Sequence, residues 1–243
     1  MAVPAPIAFW KFDEASGNPA DATGNGYTLT NNNTVGFGAG ALNNCADFGA
    51  SNTNKTFSTS STLGLAVNDT RSFAGWVNVT TAPGVYDIMG MGYDANDVFY
   101  IFEYINFPPV RLRVGRARNG VDDPTILYTT TLTTGTWFHL AYTFNGSTFA
   151  QNLYVNGSNV GSNTATSGNG SGSTTTGTVF STALFSAARF FQGKCDEWGV
   201  WNVELTSSEV TELYNSGTPL AYPFSGGGGS PTARNLMMMG IGS

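Results

Sequence analysis

Phe191-Gln-Gly-Lys-Cys-Asp-Glu-Trp-Gly-Val-Trp-Asn-Val-Glu-Leu-Thr-Ser-Ser-Glu-Val-Thr-Glu-Leu-Tyr214 reads as a short strand that runs directly into a capped helical turn. On strict strand alternation, Asp196, Trp198 and Val200 share one face, and Cys195, Glu197, Gly199 and Trp201 share the other. Thr206-Ser-Ser-Glu209 has the spacing of a capping box, in which a hydroxyl and a carboxylate satisfy each other's backbone amides. The short helix it opens is expected to stop at Gly217. Nothing catalytic stands out in the stretch.

Outward from this segment the chain breaks into further short alternating runs. Ile7-Ala-Phe-Trp-Lys-Phe12 sets Ile7, Phe9 and Lys11 against Ala8, Trp10 and Phe12. After the turn Thr23-Gly-Asn-Gly26, a strand is expected at Tyr27-Thr-Leu-Thr30. Ala46-Asp-Phe-Gly49, Ser72-Phe-Ala-Gly-Trp-Val-Asn-Val79, Tyr86-Asp-Ile-Met-Gly90, Val98-Phe-Tyr-Ile-Phe-Glu-Tyr104 and Arg111-Leu-Arg-Val114 follow. Trp76, at an alternating strand position, is expected in the core. Thr136 to Gly146 and Leu153-Tyr-Val-Asn-Gly157 close the series, and Asn156-Gly157 is a type I′ hairpin signal. Ser162 to Gly177 holds only small and polar residues and is expected to be a surface loop.

These stretches resemble, in order, the signatures of laminin-G-like, concanavalin A-type jelly rolls. The closing run is similar to that family's Phe-x-Gly-x-apolar-Asp-Glu strand followed by Leu-Ser/Thr-x-x-Glu and Leu-Tyr. Thr136-Trp-Phe-His-Leu-Ala-Tyr-Thr-Phe-Asn-Gly146 with Leu153-Tyr-Val-Asn-Gly157 resembles its most specific internal hairpin. The resemblance implies an all-β sandwich of two antiparallel sheets with one short C-terminal helix, spanning residues 1–224. Residues 225–243 follow as a Gly-rich linker and an apolar tail. For such a fold, function is expected at surfaces.

Composition agrees with many strands joined by polar turns. Charged residues are 11% and aromatics 13% of the 243, so apolar surface suffices to offset chain entropy while uncharged polar side chains cover the exterior. The net charge of −6 opposes binding to nucleic acid or an anionic membrane. No apolar run reaches the ~18 residues of a membrane span, so no insertion is expected. The first residues lack the basic start of a secretory signal, which leaves a removed signal or assembly into a particle as routes outside a cell.

The chemistry of glycan cleavage needs two carboxylates about 5–10 Å apart. The glucanases that the resemblance brings in carry Glu-x-Asp-x-Glu on one strand, and no Glu here has Asp two positions on. Asp122-Asp123 lie at a turn and Asp94-Ala-Asn-Asp97 reads as a polar loop. His139, the sole histidine, stands where the family also places one, so a structural role is expected. No hydrolytic triad or phosphate-binding loop is present. Cys45 and Cys195 each lie just before an acidic strand position and are open to a disulfide if their strands pair; the alternative is two unrelated buried thiols.

Two surface constellations remain. Calcium takes about 6–8 oxygens; Asp13, Glu14 and Asp21 cluster in the first hairpin, and Asp13 and Asp21 with Asp196 on the closing strand are candidate ligands for the structural calcium of related modules. The alternative is that Asp196 accepts hydrogen bonds without metal. Arg111, Arg113, Arg116 and Arg118 place four of ten basic residues within eight positions. Arg111 and Arg113 share a face opposite Leu112 and Val114, where they would read an acidic glycan, meet an acidic subunit, or pair with Glu103 or Asp122. Tyr86, Tyr93, Tyr100 and Tyr104 offer rings for sugar stacking. Leu236, Met237, Met238, Met239 and Ile241, on a flexible leash, suit docking into a partner groove or a disordered tail equally.

The expectation is a non-enzymatic structural or adhesion protein outside a cell, plausible on a bacteriophage particle as a decoration, fibre or tail-associated subunit that binds glycans. A secreted carbohydrate-binding module is the first rival. A glycoside hydrolase or lyase of the same superfamily is the second.

Overall fold

Short runs of β-branched and aromatic residues between Gly- and Asn-rich turns pair into two antiparallel sheets in the computed structural model of the chain. It describes all residues except 1, 52–53, 67, 81–83, 93–97, 106–108, 119–124, 166–176, 183–188 and 225–243, with 98–101, 116–118, 179 and 182 described in backbone alone. In chain order the strands are β1 (Ala8–Trp10), β2 (Thr30–Asn32), β3 (Gly36–Ala39), β4 (Asn44–Asp47) and β5 (Thr56–Ser58). Next come β6 (Arg71–Val79), β7 (Val85–Met91), β8 (Val98–Ile105), β9 (Arg111–Arg118) and β10 (Ile126–Thr129). The last five are β11 (Trp137–Phe144), β12 (Ala150–Val155), β13 (Ser158–Thr164), β14 (Thr178–Thr182) and β15 (Gly193–Trp201).

The eight-stranded sheet has the order β13-β12-β11-β6-β15-β4-β3, with β1 also on β15. The seven-stranded sheet runs β10-β9-β8-β7-β14-β5-β2. Their facing sides bury Trp10, Phe12, Phe73, Val77, Phe102, Tyr104, Leu140, Phe180 and Trp198. A second apolar cluster covers the outer side of the eight-stranded sheet. There Phe9, Ala74 and Trp201 meet Leu205, Val210 and Leu213 together with Phe224. With both faces covered, every residue of β6 is buried.

The capping box forms: Thr206 Oγ1 accepts from the Glu209 amide, and the Thr206 amide donates to Glu209 Oε2. Helix α1 (Ser207–Tyr214) follows, and its last residue lays a ring over Trp76. It ends one step earlier than expected, because Asn215 takes the left-handed conformation (φ 44°) ahead of Gly217. Asn156 and Gly157 have φ of 48° and 76°, the paired positive values of a type I′ turn. The strand expected at Tyr27 starts instead at Thr30, because the Tyr27 amide and carbonyl are taken by Asp21 and the Trp10 indole. Ser162 to Thr164 belong to β13, and 166–176 lie outside the described residues.

The closing strand departs from strict alternation. A bulge between Asp196 and Gly199 inserts one residue against β6, and Glu197 takes φ 49°. Cys195, Trp198 and Val200 therefore point into the core, and Trp201 points out under the helix. The bulge also divides the far edge of β15. Lys194 and Cys195 pair with β4, and Trp198 to Val200 pair with β1.

Candidate functional site

Alternation in β7 to β10 sorts side chains cleanly between the core and the outer face of the seven-stranded sheet. Tyr86, Ile88, Phe102, Tyr104, Leu112, Val114 and Ile126 are buried inward. On the other side, cross-strand pairing aligns Asp87, Glu103, Arg113 and Leu127 in one transverse row. The next row is Val85, Ile105, Arg111 and Thr129. Arg189 joins from the segment before β15, held alongside β7 by a 2.9 Å bond from the Asp87 amide to its carbonyl.

The first row is an acid pair under two guanidinium groups. Glu103 has no exposed surface, and its carboxylate takes a hydrogen bond from Arg113 Nε and another, at 2.8 Å, from Arg189 Nη1. These arginine side chains remain 31% and 30% exposed. Asp87 is equally buried, and among the described residues neither of its oxygens meets a donor. Burial, then the charge of Glu103 and hydrogen bonding with it, push the Asp87 carboxyl up to about 8, against the pull of Arg189 and Arg113. Burial beside Glu103 thus favours the protonated form of Asp87.

Arg111 and Arg113 do meet on one face, as expected from their spacing. Arg113 takes the cross-strand acid Glu103, while Arg111 has no hydrogen bond or ion pair among the described residues, and its Nε is buried. Tyr93 lies outside the described residues, and Tyr100 is described only as a backbone position of β8. Leu236, Met237, Met238, Met239 and Ile241 also lie outside them. Sequence reasoning missed Asp87 and Arg189. Asp87 looks like any polar position of an alternating strand, and Arg189 stands in a stretch with no strand signature.

The three candidate calcium ligands do not assemble. Asp21 spends its carboxylate on the amides of Phe9, Thr23 and Tyr27 and on the Thr23 hydroxyl. Asp13 accepts from the Asn44 amide at 3.1 Å and from Asn43. Because of the bulge, Asp196 faces the loop after β3, where Oδ2 accepts from the Ala41 and Leu42 amides at 2.8 and 2.9 Å. Gly40 permits that approach, since a Cβ there would lie 2.6 Å from Asp196 Oδ2. Among the described residues no group of three or more His, Cys, Asp or Glu side chains is placed to hold a metal ion.

The disulfide is likewise absent, and both cysteines are free thiols. Their strands pair, but Cys195 stands opposite Ala46, so Cys45 is one residue out of register and points to the other face. Its thiol donates to the Ala39 carbonyl instead. His139 is buried between Trp76 and Tyr214, and burial pushes its ring down to about 3. With Glu197 it lines a cavity of about 10 Å3 beneath helix α1.

A laminin-G family model, described as concanavalin A-like lectin/glucanases superfamily, matches residues 49–211, more than half of the chain. The chain belongs to that superfamily. Comparison with curated proteins gives no match. Among solved structures, this superfamily member is similar to domain 4 of AbnA, a GH43 extracellular arabinanase from Geobacillus stearothermophilus, in complex with arabinotriose. The identity is 21% over 88% of this chain and all of that one, at a TM-score of 0.64. The binding domain of Paraclostridial Mosquitocidal Protein 1 matches at 14% identity and a TM-score of 0.68, over 87% of this chain and 52% of that one. A Trypanosoma rangeli sialidase in complex with sialic acid matches at 15% and 0.65, over 88% of this chain and 33% of that one. At such identities the likeness is one of fold. No helix among the described residues is long and apolar enough to cross a membrane.

Proposed function

We propose that this chain is a carbohydrate-binding module without catalytic activity, which offers the outer face of its seven-stranded sheet to a glycan outside a cell. The observation that carries the reading is the state of the acid pair. Among the described residues of β7 to β10, Asp87 and Glu103 are the carboxylates of that face, both wholly buried, with Glu103 held by Arg113 and Arg189. A general acid and base must reach the scissile bond, and these do not reach the surface. What the face offers instead is cations, the Thr129 hydroxyl and the exposed Leu127 side chain, which are groups that hold a sugar.

The neighbours support a binding role by analogy of fold alone. Display on a virus particle is the finer part of the proposal. Its support is the Gly-rich linker at 225–231 followed by Leu236, Met237, Met238, Met239 and Ile241, an apolar peptide suited to a groove on a neighbouring subunit.

Binding and turnover measured on the same polysaccharides test the reading. Saturable binding with no new reducing ends is expected. Cleavage that disappears in Asp87→Asn or Glu103→Gln would establish the hydrolase reading instead. Co-purification with a particle subunit, lost on removing residues 232–243, is expected for the virion setting.

A further inference from the structure

From the second row of that face we infer that the ligand is an anionic saccharide, one bearing carboxylate or sulfate groups, and that Arg111 is its anchoring residue. The inference rests on the reading of this face as a glycan surface and names the chemistry it selects.

Arg111 is half-buried and lies among Ile105, Val85 and Thr129, with Nε wholly removed from solvent and no acceptor among the described residues. The Nε has no acceptor to fix the guanidinium in place, and its terminal amines, which are not among the buried atoms, are the groups that an acceptor supplied from outside can meet. The fork of the guanidinium matches the paired oxygens of a carboxylate or sulfate. The acidic side chains of the neighbouring row do not compete for it. Glu103 is engaged by Arg113 and Arg189, and burial beside it favours the protonated form of Asp87.

Arg113 sits two positions along on the same face, so a chain of acidic sugars crossing β9 passes both guanidinium groups. Leu127 and Thr129 stand directly across from Arg113 and Arg111 on β10 and supply an apolar contact and a hydroxyl. A neutral glycan would use those two and leave Arg111 unsatisfied.

The net charge of −6 works against any polyanion, so the attraction must be short-ranged and local. Raised salt still weakens a contact ion pair at a partly exposed guanidinium, and association is expected to fall sharply when this one residue is changed.

Calorimetric titration of the whole chain with polygalacturonate, chondroitin sulfate, heparin and neutral arabinan, at low and raised salt, tests the inference. Binding to an anionic glycan is expected, with loss at raised salt and a drop of roughly tenfold or more in Arg111→Gln. A preference for polygalacturonate identifies carboxylate recognition, and a preference for the sulfated chains identifies sulfate. Thr129→Glu, an exposed position that takes the substitution without repacking, is expected to weaken anionic binding to a similar degree and decides the matter if Arg111→Gln fails to fold. Neutral arabinan bound as well as the anionic chains, with both variants unaffected, would overturn the inference and leave the module reading in place. No binding to any of the four would sink both.

Discussion

Asp87 and Glu103 stand directly opposite each other on β7 and β8, two carboxyl groups with no exposed surface at the same level of one sheet face. Burial and the neighbouring charge of Glu103 push the Asp87 carboxyl up, and Asp87 is not the only buried acid raised in this way. Burial also pushes Asp196 up to about 8, against the amides of Leu42 and Ala41, and pushes Glu197 to about 8 with the added charges of Asp196 and Asp13. In the unfolded chain these groups titrate near 4, so between there and pH 8 the folded state holds more protons. Stability is then greatest at the acid end and falls as pH rises through the folded values. His139 works the opposite way, since burial lowers its ring from 6.5 to about 3, and its contribution rises with pH up to 6.5. From pH 6.5 to 8 only the acids act. Melting temperature is expected to fall across that window and level off above it. Asp87→Asn, which keeps a donor towards Glu103, should shallow the fall. A melting temperature that climbs from 6.5 to 8 would contradict the assignment.

Glu103 is the shared acceptor of two half-exposed arginines, and its removal should be costly. Glu103→Ala leaves Arg113 and Arg189 without the carboxylate that orders them and opens space on the buried side. Breaking a buried ion pair from one side costs about 3–5 kcal/mol. The lower end is expected here, because both guanidinium groups can turn to water. Urea denaturation at pH 7 measures the loss directly. A change under about 0.5 kcal/mol would mean that the clamp contributes nothing to the fold.

The cysteines should behave as two protected thiols. Burial, then the charge of Asp196, pushes the Cys45 thiol up to about 12, and burial raises Cys195 well above its ordinary value. A thiol reagent at pH 8 is expected to label neither in the folded protein and both in denaturant. Reducing agent should leave the melting temperature unchanged. A drop on reduction would restore the disulfide that register argues against.

What the sequence made legible follows from how locally each feature is encoded. The capping box at Thr206 and Glu209 and the turn at Asn156-Gly157 are written in adjacent residues, and both form where expected. The arginine pair on β9 was visible because alternation sets it against Leu112 and Val114. The faces of Cys195 to Trp201 were misread because one bulged residue, Glu197, inverts the parity of everything before it, and no local composition announces a bulge. The partnership of Asp87 with Glu103 and of Arg189 with both depends on strand neighbours that are 16 and 86 positions apart. Pairing of that range is fixed by the whole fold. Asp21 looked like a metal ligand for the same reason that it serves as a backbone acceptor: a carboxylate in a Gly-rich hairpin suits either, and only the positions of Phe9 and Tyr27 decide between them.

Gly75 is the tightest contact between β6 and the bulged strand, and its substitution tests whether the bulge is as described. The Trp198 ring lies flat over residue 75, with its indole nitrogen donating to the Trp76 carbonyl at 3.0 Å. A Cβ on residue 75 would come within 2.3 Å of the ring. Nothing nearby can yield, because Trp198 is itself packed edge-on against Phe102 and Phe180. Gly75→Ala therefore has to displace the indole or spread the two strands, at a cost of about 1–3 kcal/mol for an overpacked core. Denaturant unfolding gives the magnitude, and tryptophan emission gives the mechanism. A displaced Trp198 should shift the native spectrum, whereas Gly84→Ala, just before β7, where the nearest atoms to a Cβ belong to the Tyr86 ring, should not. If Gly75→Ala is as stable as the parent and its emission is unchanged, Trp198 does not face the core. The bulge would then not be as described.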